Sequence, residues 1–295
     1  MVVEACFLAA FWIWTVSAAV FLSNTLPPRE KYAPVAGSEP IDFMSTDGVP
    51  LQGWILRGRT DAPWILFCHS WKHSSAETAP IATNLNRAGF NAFLMDARAH
   101  GRSGGHSTSF GFREINDVFG ALIYLSAADP ALKPIGILGV SMGATTALLA
   151  AAYDDRLAAV VADSPCETIG HLLADYARSR VGPISAPLAV SLKATYRLRF
   201  GQWPWHISPR AAAARLAPRP LLLIGGKQDN KTPARGVQAI FDSAGQPKQL
   251  WLTNGGHREA YRKNKEDYVK RVTTFFEQAL IRSARASSIR SSNLT

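Results

Sequence analysis

A serine stands at the apex of a glycine-rich turn near the middle of the chain. Residues 135–150 read IGILGVSMGATTALLA, so a short apolar strand pattern runs into GVSMG and a helix pattern of small residues follows. A serine between such a strand and helix has a strained backbone that pushes its Oγ out above the sheet. Glycine is required at Gly139 and Gly143, because a side chain there would meet the neighbouring strand or helix. The motif predicts Ser141 as a nucleophile; the alternative is an ordinary glycine-rich turn.

A nucleophilic serine needs a base, and that base needs an acid to orient it. Residues 219–229 read RPLLLIGGKQD, a buried-type strand pattern whose glycine-rich end presents Asp229. Residues 248–257 read KQLWLTNGGH and present His257 in the same way. Open parallel sheets carry their functional groups just beyond the carboxyl ends of strands. The order and the setting predict a triad of Ser141, Asp229 and His257.

Asp163 is a rival for the acid of this triad. It ends the strand pattern LAAVVAD at residues 157–163, one strand after that of the serine. The Ser-Pro pair that follows Asp163 is typical of a turn, so Asp229 is favoured. An Asp229→Asn variant that kept most of its turnover would transfer the assignment to Asp163.

A third segment is predicted to supply a hydrogen-bond donor for the oxyanion that forms during acyl transfer. The segment PWILFCHSWKHS is an apolar strand followed by His-Ser-Trp. Its loop resembles the loop of the α/β-hydrolase superfamily that begins His-Gly. The resemblance implies that the N–H of Trp71 joins the N–H of Met142, the residue after the nucleophile, in an oxyanion hole. Ser70 stands where relatives carry glycine, and the histidines of this loop are interpreted as structural.

A further resemblance covers residues 88–105, which read AGFNAFLMDARAHGRSGG. They are similar to the superfamily segment in which a strand ends in Asp-x-Arg-Gly-His-Gly-x-Ser, with Ala99 in place of the first of those glycines. In relatives this loop is a scaffold beneath the site, so it is assigned structure rather than chemistry. The matching residues are Asp96, Arg98, His100, Gly101 and Ser103.

The resemblance is closest to membrane-anchored or secreted serine hydrolases of the esterase, lipase and serine-aminopeptidase type. It implies cleavage of carboxylic ester bonds through an acyl-enzyme, with a small-molecule acyl ester as the substrate. A thioesterase or a serine peptidase would use the same triad, so both stay open as alternatives. A non-catalytic binding protein of the same fold would typically lack a triad residue, and none is missing here.

The elements that must position these residues alternate in type along the chain. A hairpin signal at residues 46–48 (TDG) is followed by strand and helix patterns in turn. This order predicts the α/β class and, with the resemblance, the α/β-hydrolase fold. Its sheet would be mostly parallel, with helices on both faces. The predicted hydrolase domain spans residues 41–282.

An insertion at about residues 165–216 follows the sixth predicted strand and carries two helix patterns. Because it comes directly after a strand end, above the expected site, it is predicted to form a small helical lid that governs substrate choice. Trp203 and Trp205 lie within it. They are predicted to form an apolar substrate-binding wall for an acyl or aryl group; the alternative is aromatic packing between the lid and the core.

Residues 1–26 are almost wholly apolar and long enough to span ~30 Å of hydrocarbon as a helix. They lack the basic start of a signal peptide, so an uncleaved single-pass membrane anchor is favoured over a signal segment. Arg29 and Lys31 follow, and the positive-inside rule then predicts a cytoplasmic catalytic domain; a secreted or periplasmic protein is the alternative. Residues 27–40 are predicted to form a Pro-rich linker and residues 283–295 a disordered basic tail.

Composition narrows the chemistry further. The three cysteines, Cys6, Cys68 and Cys166, form no disulfide framework, and the chain contains neither C-x-x-C nor H-E-x-x-H. We therefore predict no metal and no cofactor. The net charge of +10 would attract a tethered protein to anionic lipid, and a solvated basic face is the simpler interpretation. No recognition motif for nucleic acid accompanies the charge, so nucleic acid is not expected as a partner.

Overall fold

The computed structural model describes residues 36–59, 61–129 and 134–281, together with residues 14 and 15. Apart from those two residues, the predicted anchor over residues 1–26 lies outside the described residues, as do positions 27–35 of the predicted linker and the predicted tail over 283–295. Within the described ranges, no helix is both long and apolar enough to cross a membrane. The first strand begins at Glu39, so the sheet starts slightly before the predicted domain boundary at residue 41.

The described chain is built around an eight-stranded sheet. In chain order the strands are β1 (Glu39–Met44), β2 (Pro50–Leu56), β3 (Trp64–Cys68), β4 (Asn91–Met95), β5 (Ile135–Val140), β6 (Leu157–Asp163), β7 (Leu221–Gly226) and β8 (Lys248–Thr253). Their order across the sheet is β1-β2-β4-β3-β5-β6-β7-β8. The pairs β1–β2 and β2–β4 are antiparallel, and all pairs from β4 to β8 are parallel.

Helices connect these strands. In chain order they are α1 (Ser75–Arg87), α2 (Ile115–Ala128), α3 (Met142–Ala151), α4 (Ile169–Val181), α5 (Ala186–Phe200), α6 (Pro209–Ala213), α7 (Ala234–Ser243), α8 (Ala260–Lys263) and α9 (Lys265–Phe276). A 3₁₀ turn at Gly182–Ile184 and a π turn at Glu277–Ile281 are the other helical segments of the described ranges.

The parallel strands are buried on both faces because their side chains alternate between two apolar clusters. Along β3, Leu66 belongs to the cluster packed against α2, α3 and α7, whereas Ile65 and Phe67 belong to the cluster packed against α1 and α9. Burial on both faces explains the nearly continuous apolar runs of the sequence. The predicted α/β class, with a mostly parallel sheet and helices on both faces, is confirmed.

The helices α4, α5 and α6 all lie between β6 and β7, as predicted for the lid. We call residues 165–216 the lid. Its apolar side chains form a third cluster with Phe110 and with Leu149 of α3. Tyr196 is fully buried in this cluster, and its hydroxyl donates to the carbonyl oxygen of Ser109 at 3.0 Å. The lid is therefore packed directly against the helix that follows Ser141.

The C-terminal helix pattern differs from its prediction. The sequence predicts one helix over residues 259–281, but the structure ends α8 at Lys263 and begins α9 at Lys265. Asn264 lies between them with φ −136° and ψ 50°, outside the helical region. Asparagine competes for backbone hydrogen bonds through its side chain, and here its Nδ2 donates to the Ala260 carbonyl oxygen at 3.3 Å.

Candidate active site

Ser141 lies at the sharp turn between β5 and α3. Its backbone has φ 53° and ψ −110°, a strained conformation of the kind that nucleophile turns adopt. A Cβ on Gly139 would lie 2.1 Å from the Gly143 carbonyl oxygen, and one on Gly143 would lie 2.1 Å from the Cys68 carbonyl oxygen. The two glycines are therefore what allows the turn to close against β3.

His257 connects Ser141 to Asp229. Its Nε2 lies 2.9 Å from Ser141 Oγ, and its Nδ1 lies 2.7 Å from Asp229 Oδ2. The His257 side chain is 11% exposed and that of Asp229 is fully buried. Because the Asp229 carboxylate can only accept a hydrogen bond, Nδ1 of His257 carries the proton and donates to it. Nε2 can then accept from the Ser141 hydroxyl. The structure thus brings the three predicted residues together with the geometry that proton removal from serine requires.

The Asp229 carboxylate is held by the turn that follows it. Its Oδ1 accepts from the N–H groups of Lys231 at 2.8 Å and Thr232 at 2.9 Å, and its Oδ2 accepts from the Thr232 hydroxyl at 2.8 Å. Burial raises the pKa of Asp229, but the hydrogen bond from His257 and these backbone donors outweigh it and lower the pKa below its ordinary value. The carboxyl is therefore ionised at neutral pH and can stabilise a protonated imidazole.

Asp163, the rival acid, lies elsewhere in this site. Its carboxyl accepts from the Ser164 hydroxyl at 2.9 Å and is fully buried near Tyr268, and burial raises its pKa to about 7. Its backbone carbonyl oxygen accepts from the N–H of Ser141 at 2.7 Å. The structure brings Asp229, and not Asp163, to His257, while Asp163 supports the nucleophile turn through its backbone.

The two predicted oxyanion donors flank Ser141. Met142 is the first residue of α3, where backbone N–H groups have no partner within the helix. Trp71 lies in the loop after β3, and its ring packs edge to face on Phe110 with centroids 5.5 Å apart. Both residues line the same cavity as Ser141. Their role as oxyanion donors stays a prediction.

Two buried histidines fix the loop that carries Trp71. His69 accepts from the N–H of Ala97 at Nε2, 2.9 Å away, and its Nδ1 donates to the carbonyl oxygen of Ser70 at 2.8 Å. His100 Nε2 accepts from the N–H of Lys72 at 3.2 Å. Burial lowers the pKa of His100 to about 3, so it stays neutral and can accept this bond. These histidines therefore hold the backbone on either side of Trp71.

A polar network missed by the sequence reasoning links this loop to the residue after His257. Ser70 donates to Glu77 twice, from its N–H and from its hydroxyl, each at 2.7 Å. Arg258 Nη1 donates to Ser70 Oγ at 2.6 Å and forms an ion pair with Glu77. The sequence feature that could have indicated this network was Ser70, which stands where relatives carry glycine. Its hydroxyl contributes two of the hydrogen bonds of this network.

The predicted scaffold loop supports the site from below. Arg98 joins the hairpin turn to α2, since its Nη1 lies 2.7 Å from Asp47 Oδ2 and its Nη2 lies 2.6 Å from Asp117 Oδ1. Ala99, which replaces the usual glycine, has a φ of 62°, a region that favours glycine. Arg98 and Ala99 do not line the cavity that opens at Ser141. Their contacts therefore agree with the predicted structural role.

A cavity of about 410 Å³ opens at Ser141. We call it the inner cavity. Much of its wall is formed by apolar side chains from the loop after β3, the loop before α2, the start of α3 and the lid. They are Trp71, Phe110, Met142, Leu172, Leu173, Tyr176 and Leu192. This volume falls in the range typical of small-molecule sites.

Trp203 and Trp205 do not belong to this wall, contrary to their predicted substrate-binding role. Their rings stack on each other with centroids 4.5 Å apart, and they are 37% and 47% exposed. The segment between α5 and α6 that carries them is held at the start of α4, where the N–H of Gly170 donates to the Pro204 carbonyl oxygen at 2.9 Å. The lid contributes to the apolar wall through α4 and α5 instead.

The other reactive side chains of the described ranges carry no obvious cofactor chemistry. Among described residues, no three His, Cys, Asp or Glu side chains are grouped to hold a metal ion. Cys68 and Cys166 are buried, unpaired thiols. Cys166 lines the inner cavity with its Sγ 3.3 Å from Thr145 Oγ1, and burial raises its pKa to about 11. It therefore stays a neutral thiol at neutral pH.

Comparisons with curated proteins identify three informative relatives. The chain is 30% identical over 236 residues to the uncharacterized protein YqkD of Bacillus subtilis, covering 79% of this chain and 77% of YqkD. It is 26% identical over 283 residues to the uncharacterized protein YfhR of Escherichia coli K12, covering 89% and 92% of the two chains. It is 26% identical over 161 residues to the thiohydrolase aneE of Aspergillus aculeatus, covering 50% of each.

Fold comparison and family matching agree with the observed architecture. The solved esterase Pf2001 of Pyrococcus furiosus superimposes with a TM-score of 0.73 at 24% identity, covering 86% of this chain and 98% of the esterase. At this identity the likeness shows the fold alone. The family model described as alpha/beta hydrolase fold matches residues 63–183. The chain therefore belongs to the α/β-hydrolase fold family.

Proposed function

We propose that the protein is a serine hydrolase that cleaves carboxylic ester bonds through an acyl-enzyme. One observation carries the proposal: Ser141 Oγ is 2.9 Å from His257 Nε2, whose Nδ1 is 2.7 Å from the buried Asp229 carboxylate. The constellation lies at strand ends and opens onto an apolar cavity. A nucleophile, a base and an orienting acid in hydrogen-bonding distance are the requirements of acyl transfer.

The proposed reaction has two steps. His257 removes the Ser141 proton as Ser141 Oγ attacks the ester carbonyl carbon, and Asp229 stabilises the resulting imidazolium. The N–H groups of Met142 and Trp71 stabilise the oxyanion, each worth about 10²–10³ in turnover. The alcohol leaves with the proton from His257. Water, deprotonated by the same imidazole, then releases the acid and restores Ser141.

A thioesterase is a second candidate, supported by the relative named as a thiohydrolase. Thioester and ester carbonyls react with the same triad, and the inner cavity of about 410 Å³ would accept the acyl group of either. A serine peptidase would use the same residues on an amide. Parallel assays on an ester, a thioester and an anilide of one acyl group would rank the three.

Labelling with a fluorophosphonate probe tests the nucleophile. We expect the folded protein to be labelled at Ser141 and the Ser141→Ala variant to be unlabelled, while Ser243→Ala, which alters a serine at the end of α7, labels like the wild type. Failure of the probe to label the folded protein would contradict the proposal and favour a non-catalytic binding protein.

Two aspartate variants test the acid. Asp229→Asn should lower kcat by about 10⁴-fold, because the imidazole then loses its preferred tautomer. Asp163→Asn should have a much smaller effect on kcat, since the Asp163 contact to Ser141 is made by the backbone carbonyl. Melting temperatures of both variants would separate lost catalysis from lost folding. The opposite ranking of the two kcat values would transfer the role to Asp163.

We further propose that residues 1–26 anchor the chain to a membrane, with the catalytic domain on the cytoplasmic side. The support is the apolar run followed by Arg29 and Lys31. Membrane fractionation of the full chain, with and without residues 1–26, tests the anchor. A reporter active in only one compartment, fused to the C-terminus, tests the orientation; activity outside the cytoplasm would favour the secreted or periplasmic alternative.

A further inference from the structure

An open groove adjoins the inner cavity. It has a volume of about 630 Å³, and its wall shares Asp175, Ser179 and Asn230 with the inner cavity. We call it the outer groove. Because the two spaces have three wall residues in common, a ligand that fills the inner cavity can extend into the outer groove without leaving the protein surface.

The region where the two spaces meet is strongly cationic. Arg178, Lys227 and Arg235 line the outer groove. Arg180 and Lys231, each next in sequence to a shared residue, line the inner cavity. These five cationic side chains therefore line two adjoining spaces. Such a concentration of one sign of charge attracts anions.

The acidic side chains of these walls already have partners. Asp175 forms an ion pair with Arg235 at 2.6 Å, and Asp229 is bonded to His257. The other four cations form no ion pair with any residue that the structure describes. Of these four, Arg180 lies over the Tyr176 ring, 5.1 Å from its centroid. The charges of the other three are left for solvent or for a ligand.

Two distant parts of the chain supply this charge. Arg178 and Arg180 belong to the last turn of α4, where cations complement the helix dipole. That explanation does not extend to Lys227 and Lys231, which lie in the loop after β7 that also carries Asp229. The cations around the outer groove come from both a lid helix and the loop after a strand. An anionic ligand explains this arrangement better than local helix stability does.

The wall changes character along α4. Leu173 is buried, Tyr176 is half-buried and Arg180 is exposed, and all three line the inner cavity. A ligand lying along this helix would meet apolar side chains first and cationic side chains at the exposed end. This order matches a molecule with an apolar acyl group at one end and a charged group at the other.

We infer that the substrate is an acyl ester or thioester whose leaving group carries phosphate. The acyl group would fill the inner cavity and the phosphate would bind in the outer groove. This inference rests on the proposed serine hydrolase function. Arginine and lysine are the side chains best suited to phosphate, arginine through paired N–H donors and lysine as a point charge.

Hydrolysis of such a substrate would follow the same two steps as the proposed ester hydrolysis. The bond from Ser141 Oγ to the acyl carbon forms as the bond from that carbon to the leaving sulfur or oxygen breaks, and His257 transfers the serine proton to the leaving atom. Water then cleaves the acyl-enzyme to the carboxylic acid and free Ser141. The phosphate takes no part in bond making and serves to position the leaving group.

Matched substrate pairs test the inference and separate two sources of phosphate. Butyryl coenzyme A and butyryl N-acetylcysteamine present the same thioester with and without phosphates. Lysophosphatidylglycerol and monoacylglycerol with the same acyl chain do so for a lipid ester. We expect kcat/KM at least about tenfold higher for the phosphate-bearing member of one pair, and the pair that shows it identifies the source. The preference should fall with ionic strength, because salt screens exposed charges.

Variants connect the preference to the groove. Arg178→Gln and Lys227→Gln should each lower the ratio of kcat/KM between the phosphate-bearing and neutral substrates by about two- to fivefold, as expected for exposed charge pairs. Arg197→Gln on α5 and Lys265→Gln at the start of α9 remove the same charges outside both spaces. We expect these two controls to leave the ratio unchanged.

The outcomes separate this inference from the function on which it rests. Hydrolysis of the neutral members, with no preference for phosphate in either pair, would overturn the inference and leave the serine hydrolase standing. A preference that all four variants reduce equally would also overturn it, because the net charge of the whole protein would then be the cause. Absence of both hydrolysis and fluorophosphonate labelling would remove the proposed function itself.

Discussion

Glu77 and Arg258 connect two loops that would cooperate in the proposed catalysis, although neither residue belongs to the triad. Arg258 follows His257 directly, and Glu77 binds the backbone of Ser70 next to Trp71, the predicted oxyanion donor. We expect Glu77→Gln to lower kcat by about 10- to 100-fold with little change in KM, since small misplacements of catalytic groups have effects of this size. Steady-state kinetics on an ester substrate measure kcat and KM separately and test this expectation.

The control for this prediction is an ion pair far from the site. Asp154 Oδ2 lies 2.6 Å from Arg156 Nη2. Asp154→Asn removes this ion pair and should leave kcat unchanged. The double variant Glu77→Gln/Arg258→Gln should lose less than the product of the two single losses, because both residues serve one interaction. A rise in KM at constant kcat would instead assign Glu77 to substrate binding.

Glu77 also makes the stability of the fold depend on pH. Burial raises its pKa, but Arg258 and the Ser70 donors outweigh this and lower the pKa below the ordinary 4.5. A carboxyl whose pKa falls on folding adds stability above its unfolded pKa and loses that contribution as the pH falls through its folded pKa.

We therefore expect the gap in unfolding free energy between wild type and Glu77→Gln to be constant above about pH 5 and to shrink below it. Urea denaturation at a series of pH values measures this gap. Glu266→Gln, at an exposed position of α9, serves as the control. A gap that widened on acidification would contradict the assignment of a lowered pKa to Glu77.

At the scale of elements, we propose that α4 of the lid sets the length of the acyl group. Leu172 is half-buried on the cavity wall, so Leu172→Trp should shorten the space and lower kcat/KM for octanoyl relative to acetyl esters by about tenfold or more. Val190→Trp adds the same ring at a 67% exposed position of α5 and should leave the chain-length profile unchanged. Identical profiles for both variants would contradict this role of α4.

Sequence patterns predicted most elements because their cause is local. The strands at residues 91–95 and 135–140 coincide with the short apolar runs NAFLM and IGILGV, each of which lies between turn signals. The triad was predictable because each member follows such a strand. The position of Trp203 and Trp205 was not, because it depends on how the lid segment docks at Gly170. Likewise, Glu77 and Arg258 meet only through tertiary folding.

At the scale of the whole molecule, α2 joins the N-terminal hairpin to the parallel sheet through a close contact. A Cβ on Gly120 would lie 2.2 Å from the carbonyl oxygen of Met44 in β1. We expect Gly120→Ala to destabilise the protein by about 2 kcal/mol or more, as overpacking does. Gly236→Ala in α7, where the nearest atom is 3.5 Å away, should stabilise it by about 0.5–1 kcal/mol.

Urea denaturation of these two alanine variants checks the contrast. Both substitutions replace glycine by the residue with the highest helix propensity, so propensity alone predicts stabilisation in both cases. Opposite signs would therefore measure the packing of α2 on β1. Equal stabilisation in both variants would show that the hairpin can move away from α2 at little free-energy cost.

The sheet order has a mechanical consequence for the contact between Glu77 and Arg258. The loops that carry Trp71 and His257 follow β3 and β8, which lie four strand intervals apart, about 19 Å at the usual spacing. A change in the twist of the sheet would accumulate over this width and alter the separation of the two loops. The ion pair ties their ends together above the sheet. The stiffness of the site therefore depends on contacts made across the strands, and not only on the strands themselves.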